Sequence, residues 1–112
     1  MRIYKILPRA DWTAAHEAGR FEGSALDRQD GYIHFSTAAQ AQETARRHFA
    51  GQADLVVLEV EADDLGAGLR WERSRGGDLF PHLYGALAAS LVRYVTPAPL
   101  DGEGVPMLGD LS

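Results

Sequence analysis

No cysteine occurs among the 112 residues, which excludes disulfide staples, thiolate zinc sites and a cysteine nucleophile. Long apolar runs are missing as well. The first residues, Met1-Arg2-Ile3-Tyr4-Lys5-Ile6-Leu7-Pro8, contain no signal-peptide core, and no later stretch reaches the roughly 20 residues of a membrane helix. The expectation is a soluble, unsecreted, cytoplasmic protein. Basic charge is scarce: eleven Lys and Arg face sixteen Asp and Glu, a net charge of −5. That balance opposes general affinity for nucleic-acid phosphates, so a nucleic acid is expected only as a modified substrate. The histidines, at 16, 34, 48 and 82, do not have metal-ligand spacing, and neither a Gly-x-Ser-x-Gly elbow nor a phosphate-loop lysine pattern is present. No metal site is expected.

What is present suffices for one core. At 46% hydrophobic content, a chain of this length folds as a single domain, taken here as residues 1–112. Arg2 to Leu7 alternates as a strand, with Ile3 and Lys5 on one face and Tyr4 and Ile6 on the other. Pro8 opens a helix expected over Arg9 to Ala18, ahead of Gly19. Gly23 to Gly31 carries turn formers without periodicity and reads as an exposed loop near a site. Tyr32 to Phe35 is a short β-type run, after which Ser36 or Thr37 caps a helix with Ala38, Ala41, Ala45 and Phe49 on its apolar face. Leu55 to Val60 suits a central strand, with further strands at Leu69–Glu72, Leu79–Phe80 and Leu91–Val95 and an irregular tail. Two helices in the first half and strands throughout indicate α+β.

The densest chemistry lies between Arg70 and Gly85, where carboxylate, guanidinium, imidazole, phenol and indole groups surround Gly76-Gly77. Arg73 and Arg75 suit phosphate or carboxylate. Trp71 can stack on a flat ring, and Glu72 can steady a developing positive charge. His82 and Tyr84 alternate and so share a face in extended chain. By the same alternation His34 faces the side of Tyr32 and Ser36, opposite Ile33 and Phe35. Each of these groups also has a structural role open to it: backbone satisfaction for His34, helix capping for Ser36 and Thr37, a salt bridge to a neighbouring arginine for Glu72, core closure for Trp71.

Taken together, Ile3-Tyr4-Lys5-Ile6, Gly31-Tyr32-Ile33-His34-Phe35-Ser36-Thr37, Arg70-Trp71-Glu72 and Leu79-Phe80-Pro81-His82-Leu83-Tyr84-Gly85 resemble the signatures of the domain-of-unknown-function 952 family, over nearly the whole chain up to the last strand. Members of that family resemble the ADP-ribosyltransferase fold. The resemblance implies small split antiparallel β-sheets with two main helices and NAD bound in the cleft between the sheets. Ile33-His34-Phe35-Ser36, a helix and then Leu55 to Val60 is also similar to the order in RNA 2′-phosphotransferases, which would put His34 on a cleft histidine and Ser36 on the hydroxyl after it. Lys5 stands where many of these transferases place a first-strand histidine for the nicotinamide ribose, and Glu72 comes earlier than the last-strand glutamate of the toxin-like members.

The resemblance implies an NAD-dependent transferase or glycohydrolase that binds NAD, or an ADP-ribosyl or phosphorylated nucleotide, and acts at its ribose. His34, Glu72 and His82 would be catalytic, and Lys5, Ser36, Trp71, Arg75 and Tyr84 would bind the cofactor. Lys5 in place of histidine keeps a rival reading open, a non-catalytic module that senses a nucleotide or an acidic metabolite. A third is acid–base chemistry by the histidines and Glu72 on an unrelated substrate.

Overall fold

The computed structural model describes residues 1–111, with Arg75 described in its backbone alone. In chain order the elements are β1 (Arg2–Pro8), α1 (Arg9–Ala18), β2 (Arg20–Phe21), α2 (Ala25–Asp30), β3 (Ile33–His34), β4 (Ser36–Thr37), α3 (Ala38–His48), β5 (Leu55–Glu61), β6 (Leu69–Arg73), β7 (Leu79–Leu83), β8 (Leu87–Ala88) and β9 (Val92–Ala98). The architecture is α+β, with small antiparallel sheets. A four-stranded sheet runs β4-β1-β5-β9, a three-stranded sheet runs β3-β7-β6, and β2 pairs with β8.

β1 and β5 are buried on both faces because two separate cores flank them. Ile3, Leu7, Val56, Leu58 and Val60 point into a core completed by Phe21, Ile33, Phe35, Leu83 and Leu87. Tyr4, Ile6, Leu55 and Val57 point the other way, against Ala41 and Ala45 of α3 and Leu108 of the tail. This explains why Leu55 to Leu58 is continuously apolar: a strand covered on both sides has no polar face. The alternation expected for β1 holds, and it leaves Lys5 on the side of the first core.

Local signals account for the helix ends. α1 follows Pro8 and stops at Gly19, whose φ of 85° is the left-handed cap a glycine adopts freely. α3 starts in a reciprocal capping box, in which Thr37 Oγ1 accepts from Gln40 N at 3.3 Å and Gln40 Oε1 accepts from Thr37 N at 3.1 Å. The stretch expected to be a bare loop, residues 23–31, contains the short helix α2, set by a second capping box between Ser24 and Asp27. A third helix is therefore added to the two expected. The last strand begins at Val92 and continues through Pro97, which is tolerated because β9 lies at the sheet edge. Among the described residues no helix is long and apolar enough to cross a membrane.

Candidate functional site

The three-stranded sheet assembles the chemistry. β3 and β7 are antiparallel neighbours, with Ile33 opposite Leu83 and His34 opposite His82. Ile33 and Leu83 enter the first core, so strand alternation turns both histidines to the other face. In β6, Arg70 lies opposite His82 and Glu72 opposite Phe80, which adds Arg70 and Glu72 to the histidine face. Gly68 lets β6 start close against the end of β7: Tyr84 N donates to its carbonyl at 2.8 Å, and a Cβ there would come within 3.0 Å of Tyr84 O.

Glu72 Oε1 lies 2.8 Å from His82 Nδ1 and accepts from the Tyr84 hydroxyl at 2.8 Å, while Oε2 meets the same hydroxyl at 3.1 Å. Tyr32 is the hub of the rings: it stacks on His82 at a centroid distance of 4.0 Å and lies 4.7 Å from His34 and 5.3 Å from Tyr84. The two imidazoles are 5.6 Å apart, edge to face. Arg70 lies over the Tyr84 ring at 5.5 Å. His82 is buried, whereas the Glu72 and Tyr84 side chains reach solvent.

Behind His34 lies a buried charge network that sequence reasoning missed. Asp27, 2% exposed, receives Lys5 Nζ at 2.9 and 3.1 Å, Ser24 N at 2.9 Å and His34 N at 3.1 Å, and its Oδ1 lies 2.5 Å from His34 Nδ1. His34 Nε2 faces Asp30 Oδ2 at 2.9 Å. Gly23, at φ 105°, keeps this corner tight, since a Cβ there would come within 2.9 Å of Asp27 Cβ. The available signal was Ser24-x-x-Asp27, a capping-box spacing inside what read as a loop.

The electrostatics follow from these contacts. Burial alone would raise the Asp27 carboxyl, but the His34 hydrogen bond, the Lys5 charge and the Ser24 amide hold it well below the ordinary carboxylate range. Burial pulls the Lys5 ammonium down, opposed by Asp27. Hydrogen bonds from His82 and Tyr84 lower the Glu72 carboxyl. The bond to Glu72 raises the Tyr84 phenol, and burial, followed by the charges of Asp30, Glu72 and Asp27, raises that of Tyr32. A carboxylate oxygen lies at Nδ1 of both His34 and His82, which suits that nitrogen to the donor role.

Of the residues singled out from sequence, His34, Glu72, His82 and Tyr84 come together. Lys5 sits behind the cluster with its ammonium committed to Asp27. Ser36 does not share the His34 surface, because the chain leaves the three-stranded sheet at Phe35 and enters β4 of the other sheet; its buried hydroxyl lies 3.0 Å from Thr44 Oγ1. Trp71, opposite Pro81, falls on the face away from Glu72. The Arg75 side chain lies outside the described residues. Tyr32 and Asp27 also line an open cavity of about 260 Å³ closed by Glu22, Gly85 and Ala86. A larger groove of about 570 Å³, lined by Trp12, His16, Ser90 and Val95 among others, shares no residue with the cluster. Among the described residues no three His, Asp or Glu side chains are placed to hold a metal ion.

No curated protein matches the chain. The crystal structure of protein CC0527 from Caulobacter crescentus is similar to it at 58% identity and a TM-score of 0.96, over 98% of this chain and 96% of that one. The solution structure of CC0527 is similar at 59% identity and a TM-score of 0.87, over 97% and 94% of the two chains. The family described as "Protein of unknown function (DUF952)" matches residues 6–95. A match over most of the sequence, together with a fold shared almost end to end with a relative of such high identity, establishes that the chain belongs to the DUF952 family.

Proposed function

We propose that this protein is an ADP-ribosyltransferase-like enzyme that binds NAD, or an ADP-ribosyl or phosphorylated nucleotide, and acts at its ribose. The observation that carries the reading is the convergence of His34, His82, Glu72 and Tyr84 around Tyr32 on one sheet face. A carboxylate held ionised at a solvent-reaching edge is suited to an oxocarbenium-like ribose carbon, whose positive charge appears only as the glycosidic bond breaks. His34 offers Nε2 to a polar group of the ligand. His82 braces Glu72, and Tyr32 and Tyr84 offer rings to a base or to nicotinamide. Arg70, on the same face, offers a guanidinium to the phosphates.

One observation favours the rival, a non-catalytic nucleotide-binding module in the cytoplasm: Glu72 already accepts from Tyr84 and pairs with His82, so part of its charge is offset at rest. Calorimetry with NAD, ADP-ribose and nicotinamide, run beside a nicotinamide-release assay, decides between them. Binding with release that falls at least about 100-fold in Glu72→Gln, the scale of one lost transition-state contact, supports the enzyme. Binding without release supports the module. Absence of binding by all three ligands overturns both.

A further inference from the structure

We propose that Nε2 of His34 is an anion-binding position that Asp30 keeps filled, so that an acidic group of the ligand, phosphate or carboxylate, must displace Asp30 to dock. The inference deepens the reading of the His34 cluster as a ligand site, and rests on it.

The two carboxylates on His34 differ in kind. Asp27, at Nδ1, is buried and also holds Lys5 and two backbone amides, so it belongs to the fold. Asp30, at Nε2, has a side chain 35% exposed and is the last residue of α2, followed by Gly31 in a left-handed conformation. It can rotate into solvent without disturbing any Asp27 bond. An ion pair this exposed is weak and readily exchanged. Both carboxylate bonds are made together only when each ring nitrogen carries a proton, and an N–H of that kind, backed by Asp27, takes another anionic oxygen as its natural replacement. The neighbouring surface completes such a position: Tyr32, whose ring is 4.7 Å away, can flank the incoming group, and Lys5 behind Asp27 offsets the buried carboxylate. Asp30 thus acts as an internal competitor that sets the affinity and the charge preference of the site.

The probe is inorganic phosphate, titrated into the full chain while the histidine-ring N–H signals are followed by NMR. In Asp30→Ala the His34 ring signals shift saturably, with phosphate bound at least about tenfold more tightly than in wild type. Asp30→Asn, which keeps the side-chain shape and removes its charge, shifts in the same direction, and adding His34→Gln to Asp30→Ala abolishes the tighter binding, read then at the neighbouring His82 ring, 5.6 Å from the His34 ring. Equal responses in wild type and Asp30→Ala, a response that survives His34→Gln, or none in any variant overturns the inference. NAD and ADP-ribose titrated into wild type judge the nucleotide reading separately: if they fail to bind while phosphate seats on His34 in Asp30→Ala, that reading falls and the anion position stands.

Discussion

Asp27→Asn keeps the shape of the buried side chain and removes its charge, leaving the Lys5 ammonium, 6% exposed, without its carboxylate. Removing one partner of a buried ion pair costs about 3–5 kcal/mol, because the remaining charge stays desolvated and uncompensated. The new amide can still accept from Ser24 N or His34 N, so the lower end, about 3 kcal/mol, is expected. A domain of this size is stable by about 5–15 kcal/mol, so the loss is a large share of the total. Urea unfolding at pH 7, followed by tryptophan fluorescence, should show a lower midpoint with an unchanged slope. Lys5→Met tests the attribution, because the double variant should cost at least about 1 kcal/mol less than the two single losses added together. The pH dependence has a fixed sign. The Asp27 carboxyl is lowered in the fold, so its contribution is whole above about pH 4 and drains away as the pH falls below that. Asp27→Asn should lack this acid limb. An Asp27→Asn protein within about 1 kcal/mol of wild type, or strict additivity with Lys5→Met, refutes the buried-pair argument.

Glu72→Gln should lower the alkaline midpoint of Tyr84 most, since the carboxylate is the first cause of its raised phenol, and that of Tyr32 to a smaller extent; ultraviolet absorbance titration of wild type and variant reads this directly. Gly23→Ala should destabilise by about 1–3 kcal/mol in chemical unfolding, because a side chain is strained at φ 105° and meets Asp27. Thr37→Ala should cost about 1 kcal/mol through the lost α3 cap, measured in the same way.

Strand and helix positions were largely legible, because period and caps are local. The alternation of β1, the span of α1 from Pro8 to Gly19 and the Thr37 start of α3 are all written in short-range pattern. His82 and Tyr84 could be paired in advance for the same reason. Local pattern fails where a tertiary event intervenes. Simple alternation groups Ser36 with His34, but the chain changes sheets between them. An indole suits stacking on a flat ring, but in β6 Trp71 lies opposite Pro81, on the face away from Glu72. Alternation gives the face of Lys5, but its partner lies 22 residues away on α2, a helix without apolar periodicity. In the sequence Asp27 is one more charge in a polar stretch; only the close approach of α2 to β1 and β3 makes it the buried centre of the network.

The central claim is that a nucleotide docks on the face shared by His34 and His82. Titrating ADP-ribose into the ¹⁵N-labelled protein and following the imidazole signals by NMR tests it most directly, since each of the four histidines reports on its own location. The account predicts saturable shifts at His34 and His82, with His48 unmoved. Shifts confined to His16, beside the Trp12 groove, or no shift at any histidine, would contradict it.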